Sequence, residues 1–296
     1  MKKYIILILF AVVLLSTGCK NSACYSMLEK VDSLTELDLT DSAGIIIKEV
    51  ESTYDIKEGK ERAYYFLLKY QLQFRNKDID INDSLINYSI SYYLDNMDER
   101  KLALSYYLKA RMSDDKEALK CLKKAEFIAE KTEDSFLKMR ILHTISYINI
   151  DKEDEHIALE YEKRALELCK YIHDNEANIS CLINLSKIYS NLGQLDSSLY
   201  YANKGLSYLS EAPNRQKAAI YLNLAASLEN TDTARAREYA SKSIEYRPSS
   251  NAYQVLAKLA RDQKNYRLSE EYLTEALKYC ESMDWEVFVL YEMAKT

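Results

Sequence analysis

The strongest constraint on this chain is a register of small residues that recurs along its second half. Ser146, Ala158 and Ala165 form one set, and Ser186, Ser198 and Gly205 the next. Ala225, Ala236 and Ser243 follow, then Ala257, Ser269 and Ala276. All twelve positions are Ala, Ser or Gly, types that make up about one residue in five of the chain. Large residues stand just before the first member of each set: Leu142 and Ile145, Leu182 and Leu185, Tyr221 and Leu224, Tyr253 and Leu256. Two antiparallel helices approach closely only where side chains are small, and large neighbours then fill the flanking grooves. Each set therefore predicts one helical hairpin, and the row of sets predicts a stack of them. The first members, at 146, 186, 225 and 257, lie 40, 39 and 32 residues apart, so helix lengths or turn widths vary along the stack.

Composition agrees. A chain of 296 residues with only 5 Gly and 2 Pro lacks the turn punctuation of a β-rich or nucleotide-binding α/β fold. Its 48% hydrophobic and 29% charged content fits a folded helical protein rather than a disordered one. The aromatic content is mostly tyrosine, 26 against 6 Phe and 1 Trp, which suits half-buried sites where the ring packs and the hydroxyl stays wet.

The register resembles the tetratricopeptide repeat (TPR). In the clearest unit, Ile179 to Ser210, Leu182, Leu185 and Tyr189 are the large residues and Ser186, Ser198 and Gly205 the small ones. Gly193 falls at the family's turn glycine, where a positive φ reverses the chain. Pro248 stands at the family's closing proline. Two departures mark the repeats as divergent: the family's Trp is absent, and the spacings stray from the standard of about 34 residues. Upstream the pattern continues in Leu104, Tyr107 and Leu108 with Ala118 and Ala125, joined by Ser113-Asp114-Asp115. It fades through 63–74 with 84–94, and through 28–34 with 43–50. The resemblance implies an all-α, right-handed α-solenoid of about seven antiparallel hairpins, closed by a helix near Met283–Ala294 that carries Trp285, Val287, Phe288 and Tyr291. It sets degenerate repeats at 27–98, TPR-like repeats at 99–281 and a terminal capping helix at 282–296.

The first residues read differently. Met1-Lys2-Lys3, an apolar run from Tyr4 to Leu15, and Ser16-Thr17-Gly18-Cys19 describe a secretory signal. The run is shorter than the roughly 18 apolar residues a membrane span needs. Leu15 to Cys19 resembles a bacterial lipobox, with Ser16 where Leu is commonest. That resemblance makes 1–18 a lipoprotein signal peptide, Cys19 the lipidated residue and 19–26 a tether. Cys19 is followed by Lys20, with no Asp directly after it and no acidic run, which points to the outer membrane, facing the periplasm. The whole is expected to be a TPR lipoprotein of the Bacteroides type. Without Lys2 and Lys3, 38 basic and 46 acidic residues leave a charge of −8, which opposes nucleic-acid binding.

In this family the first helix of each hairpin lines the concave face. The resemblance carries that role to Arg140, His143, Tyr147 and Asp151, and then to Ser180, Ile183, Lys187 and Asn191. Further on it falls to Ala219, Leu222, Ala226 and Asn230, and then to Asn251, Gln254, Lys258 and Asp262. Arg140, Lys187 and Lys258 are expected to stand as isolated cations in this groove. The expected function is a non-enzymatic scaffold for a protein or peptide partner in the cell envelope. Two rivals are a glycan-binding outer-membrane lipoprotein and the sensor part of a regulatory system.

Catalytic and cofactor signatures are absent from the sequence. The glycines are scattered, so no phosphate loop exists. His143, His156 and His173 lie 13 and 17 residues apart and form no local ligand pair, and the cysteine spacings match no zinc pattern. No catalytic, cofactor or metal residues are assigned. Cys24, Cys121, Cys169, Cys181 and Cys280 read as small buried hydrophobes, with a Cys169–Cys181 disulfide as the alternative across one inter-helix turn. Asp32-Ser33, Asp41-Ser42, Asp83-Ser84 and Asp232-Thr233, each followed by Leu or Ala, resemble a short glycosylation motif but suit helix starts better. Tyr pairs at 64–65, 92–93, 106–107 and 200–201 point about 100° apart on a helix, so one of each should pack and one stay wet.

Overall fold

Many helix starts in this chain are set by short polar side chains. Asp98, Asp114, Asp154, Asp174, Asp232, Ser249 and Asn265 each accept a hydrogen bond from the backbone N–H three residues on. Such caps satisfy an orphan donor and contribute about 1 kcal/mol each. Of the four Asp-Ser/Thr sites, Asp232 is one of these caps, and Asp41 and Asp83 lie in first turns. Asp32 lies within a helix and accepts from Tyr64 Oη at 2.6 Å.

The computed structural model describes residues 23–76, 83–280 and 283–294, and every regular element among them is α-helical. The expected signal segment, residues 1–18, and Cys19 lie outside the described residues. Within these bounds the chain is α1 (23–36), α2 (Thr40–Thr53), α3 (Gly59–Asn76), α4 (Asp83–Asp95), α5 (Glu99–Ala110) and α6 (Asp115–Ala129). There follow α7 (Ser135–Asp151), α8 (Glu155–Ile172), α9 (Asn175–Asn191), α10 (Leu195–Leu206) and α11 (Asn214–Leu228). The last are α12 (Thr233–Tyr246), α13 (Ser250–Asp262), α14 (Tyr266–Leu277) and α15 (Met283–Ala294). Among the described residues these are seven successive hairpins and a final helix, as the resemblance implies. No described helix is long and apolar enough to cross a membrane.

The chain divides between Leu137 and Lys138 into two compact units. In the first, α3 supplies the core with Leu67, Leu68 and Tyr70, joined by Leu28, Ile86, Leu108 and Leu122, all under 2% exposed. The second unit contains all four small-residue sets. Every one of the twelve positions is buried. At Gly205 even a Cβ would come within 3.2 Å of Ile220 Cγ1, so the smallest residue marks the tightest approach. The serines do more than fit. Ser146 Oγ donates to the carbonyl of Ala158 at 2.9 Å, Ser198 Oγ to that of Ser186 at 2.8 Å, and Ser243 Oγ to that of Ala218 at 2.9 Å. Each of these bonds ties the two helices of one hairpin. Ser89 Oγ does the same to Ala63 in the first unit at 2.9 Å.

A second periodic device is aromatic. Tyr189–Tyr201, Tyr221–Tyr246 and Tyr253–Tyr279 stack at 5.4, 5.8 and 5.7 Å between centroids. In each, one ring sits on the first helix of a hairpin and the other on or just beyond the second. The tyrosine pairs also divide as expected, with Tyr64, Tyr93 and Tyr107 buried and Tyr65, Tyr92 and Tyr106 partly open.

Turn geometry repeats too. Gly193 has φ +70°, and the equivalent turns place Asp38, Met97, Glu153 and Lys264 at φ +60°, +54°, +59° and +60°. These five turns share a left-handed residue, and only one of them fills it with glycine.

Candidate functional site

The first helices of the second unit, α7, α9, α11 and α13, are laced to one another by side chains. Gln216 Nε2 on α11 donates to Ser180 Oγ and to the carbonyl of Glu176 on α9, both at 2.8 Å. Asn223 Nδ2, also on α11, donates to the carbonyl of Ile183 at 2.8 Å. Lys187 Nζ on α9 lies 3.9 Å from Asp151 Oδ1 of α7. Lys258 Nζ on α13 meets Glu229 Oε1 at 2.5 Å and Asn230 Oδ1 at 3.2 Å, just past α11. Arg261 Nη1 continues the series to Glu292 Oε2 of α15 at 2.6 Å.

This lacing corrects one expectation. Lys187 and Lys258 are not isolated cations: each is paired with a carboxylate from the preceding repeat, because equal register brings a basic position of one first helix opposite an acidic end of the one before. Arg140, half-buried, is engaged as well. Among the other assigned positions, Tyr147 stands 52% exposed, and Asn191 is exposed with its Nδ2 3.2 Å from Glu155 Oε1. Ile183 and Leu222 are half-buried and pack into the core beneath. Gln254 donates to Ser250 Oγ at 3.0 Å. The face is therefore a band of half-exposed polar groups over an apolar floor, and its ion pairs are partly open, with Lys187 45% and Asp151 49% exposed. Such pairs contribute little to stability, about 0–1 kcal/mol each.

His143 departs furthest from the groove reading. Its Nδ1 lies 2.8 Å from Oε1 of Glu162 on α8, whose side chain has no exposure at all. Asn184 Nδ2 on α9 donates to Glu162 Oε2 at 3.1 Å. Cys181, also on α9 and fully buried, completes a group with His143 and Glu162 whose ligand atoms all lie within 4.8 Å of one another. The Cys169 Sγ of α8 is 3.8 Å from that of Cys181, so the two thiols face each other without a disulfide bond. A hydrogen bond between the two thiols, in which either sulfur can donate, lowers the pKa of Cys169. The same bond, with burial, raises that of Cys181 well above an ordinary thiol. Sequence spacing did not show this cluster, since its members come from three helices. One signal was available: Glu162 shares the α8 face of Ala158, Ala165 and Cys169, all buried, so a carboxylate stands in an apolar stripe.

At the end of the unit, α15 buries Val289 against Ala257, Leu273 and Ala276 while Val287, Phe288, Leu290 and Tyr291 are 45–59% exposed.

Hairpins with this small-residue register, stacked through their first helices, define a TPR-like helical-repeat protein. No protein-family model and no curated protein matches the sequence itself. Solved structures share the fold at low identity. NprR in complex with its cognate peptide NprX superposes with a TM-score of 0.70 at 16% identity, over 91% of this chain and 83% of that one. A Rap protein complexed with Competence and Sporulation Factor gives 0.69 at 15%, over 92% and 80%. The apo form of RapI gives 0.66 at 16%, over 90% and 79%. At this identity the likeness is one of fold.

Proposed function

We propose that this chain is a non-enzymatic, lipid-anchored TPR scaffold of the Bacteroides type that binds a protein or peptide partner in the bacterial cell envelope. Binding takes place on the face formed by α7, α9, α11 and α13. The observation that carries the reading is the lacing of those helices: it holds a continuous row of half-exposed polar side chains and exchangeable ion pairs in fixed register. A ligand strand laid along such a row meets preorganised groups and therefore loses little of its binding energy to ordering them. A protein of the same fold, NprR, has been solved with a cognate peptide, which supports a peptide-sized occupant. Residues 1–19 support the anchor, with Cys19 carrying the lipid, and the sequence after it supports the periplasmic side of the outer membrane.

The test is crosslinking in intact cells followed by mass spectrometry of the captured partner. It is repeated with Lys187→Glu and Lys258→Glu combined. Both residues sit beside acids, at Asp151 and Glu229, so reversal turns two attractive contacts into repulsive ones and reshapes the face. Capture is expected to fall about tenfold, in line with about 1.4 kcal/mol of lost binding. Unchanged capture by a folded double variant removes this face from consideration.

A further inference from the structure

We propose that His143, Glu162, Cys169 and Cys181 form a binding site for a single Zn²⁺-class ion that ties α7, α8 and α9 together. The four side chains offer one imidazole nitrogen, one carboxylate and two thiols, a donor set that suits a borderline-soft divalent cation in tetrahedral geometry.

Geometry supports the assignment along the edges that join His143, Glu162 and Cys181 and along the one that joins the two sulfurs. Bonds of about 2.3 Å from zinc to two thiolates place the sulfurs about 3.8 Å apart in a tetrahedron. Cys169 and Cys181 stand at 3.8 Å. The ligand atoms of His143, Glu162 and Cys181 already lie within 4.8 Å of one another. His143 Nδ1 and Glu162 Oε1, now 2.8 Å apart across a shared proton, need to open only to about 3.3 Å when a cation replaces that proton. Asn184 Nδ2, on Glu162 Oε2 at 3.1 Å, orients the carboxylate from outside the ligand set.

Burial supplies the reason. Glu162 and Cys181 have no exposure, and Cys169 has 8%. A carboxylate in such a place is costly unless it is neutralised, and an apolar residue of similar volume would serve packing alone better. One imidazole and one amide are modest compensation. A divalent ion neutralises the carboxylate outright and draws the protons off the thiols. His143, at 27% side-chain exposure, gives the ion its way in.

The experiment uses the full chain, purified with reductant and stripped of metal, and titrated with Co²⁺ and then Zn²⁺. The expected result is uptake of one equivalent of Co²⁺ with the intense visible bands of tetrahedral coordination and a near-ultraviolet thiolate charge-transfer band. Zn²⁺ should displace both and raise the Tm by roughly 5 °C at saturating excess. Cys181→Ser and Cys169→Ser should each remove about half of the charge-transfer intensity, and the near-isosteric Glu162→Gln should weaken Co²⁺ at least tenfold with helicity retained. Cys280→Ser should change none of these. A folded, reduced chain that takes up no stoichiometric Co²⁺, or gives only the pale spectrum of an octahedral ion, overturns the proposal. So does a charge-transfer band that survives loss of both Cys169 and Cys181. A native Cys169–Cys181 disulfide combined with no Co²⁺ uptake after reduction would also overturn it.

Discussion

The turns between helices offer a paired test with opposite signs. Gly193 and Lys264 occupy the same position in two hairpins, at φ +70° and +60°. A Cβ added at Gly193 would meet nothing within 4 Å, so any cost of Gly193→Ala is conformational rather than steric. An L-residue in the left-handed region costs about 1–2 kcal/mol. Removing glycine's freedom from the unfolded chain returns about 0.4–1 kcal/mol. The net for Gly193→Ala is thus about 1 kcal/mol of destabilisation. Lys264 is exposed, and its replacement removes a side chain from the surface. Lys264→Gly should stabilise by a similar amount, because the same two quantities enter with reversed sign. For a unit of this size each change corresponds to about 3 °C in Tm. Urea unfolding followed by far-ultraviolet circular dichroism measures both, with the shift read from the midpoint at constant m-value. If Gly193→Ala is neutral or stabilising, or Lys264→Gly destabilises, the left-handed conformation does not set the cost of a side chain at these two turns.

Ser198 is fully buried and its hydroxyl donates to Ser186. Ser198→Ala should therefore cost about 1 kcal/mol for the lost bond, and Ser198→Leu a further 1–3 kcal/mol or so through overpacking, both by urea titration. Leu182, also fully buried, should cost about 2–5 kcal/mol on truncation to Ala, visible as a lowered unfolding midpoint. Cys19→Ala should move the chain from the membrane fraction to the soluble fraction and abolish incorporation of radiolabelled fatty acid. Retention in the membrane with no label lost would refute lipidation at that residue.

The hairpin order was legible because it rests on sterics within a short span: a small residue at 146, 186, 225 or 257 announces the approach of the next helix, whatever the surrounding sequence. The start and end of α15 could be read the same way, from an apolar run after the last set. Other features were invisible for physical reasons. Asp38, Met97, Glu153 and Lys264 hold left-handed turns although none of them is glycine, since the packing of the helices on either side imposes a conformation that the residue alone disfavours. The partners of Lys187 and Lys258 lie 36 and 29 residues earlier in the chain and depend on the register between successive repeats, which single-helix reasoning does not fix. His143, Glu162 and Cys181 lie on three successive helices, and local ligand spacing is silent about residues that meet only after the helices have packed. The groove assignments rested on family resemblance. His143 shows the limit of that transfer, since its ring turns to a buried carboxylate beneath the face.

The pairing of Lys187 with Asp151 and of Lys258 with Glu229 has a consequence for selectivity. An incoming acidic group gains a lysine only by evicting an acid that belongs to the chain, so the exchange is close to neutral in free energy. Net attraction for negatively charged peptides in general is thereby suppressed. On the face proposed for binding, discrimination would then fall to contour and to the spacing of amide and aromatic contacts.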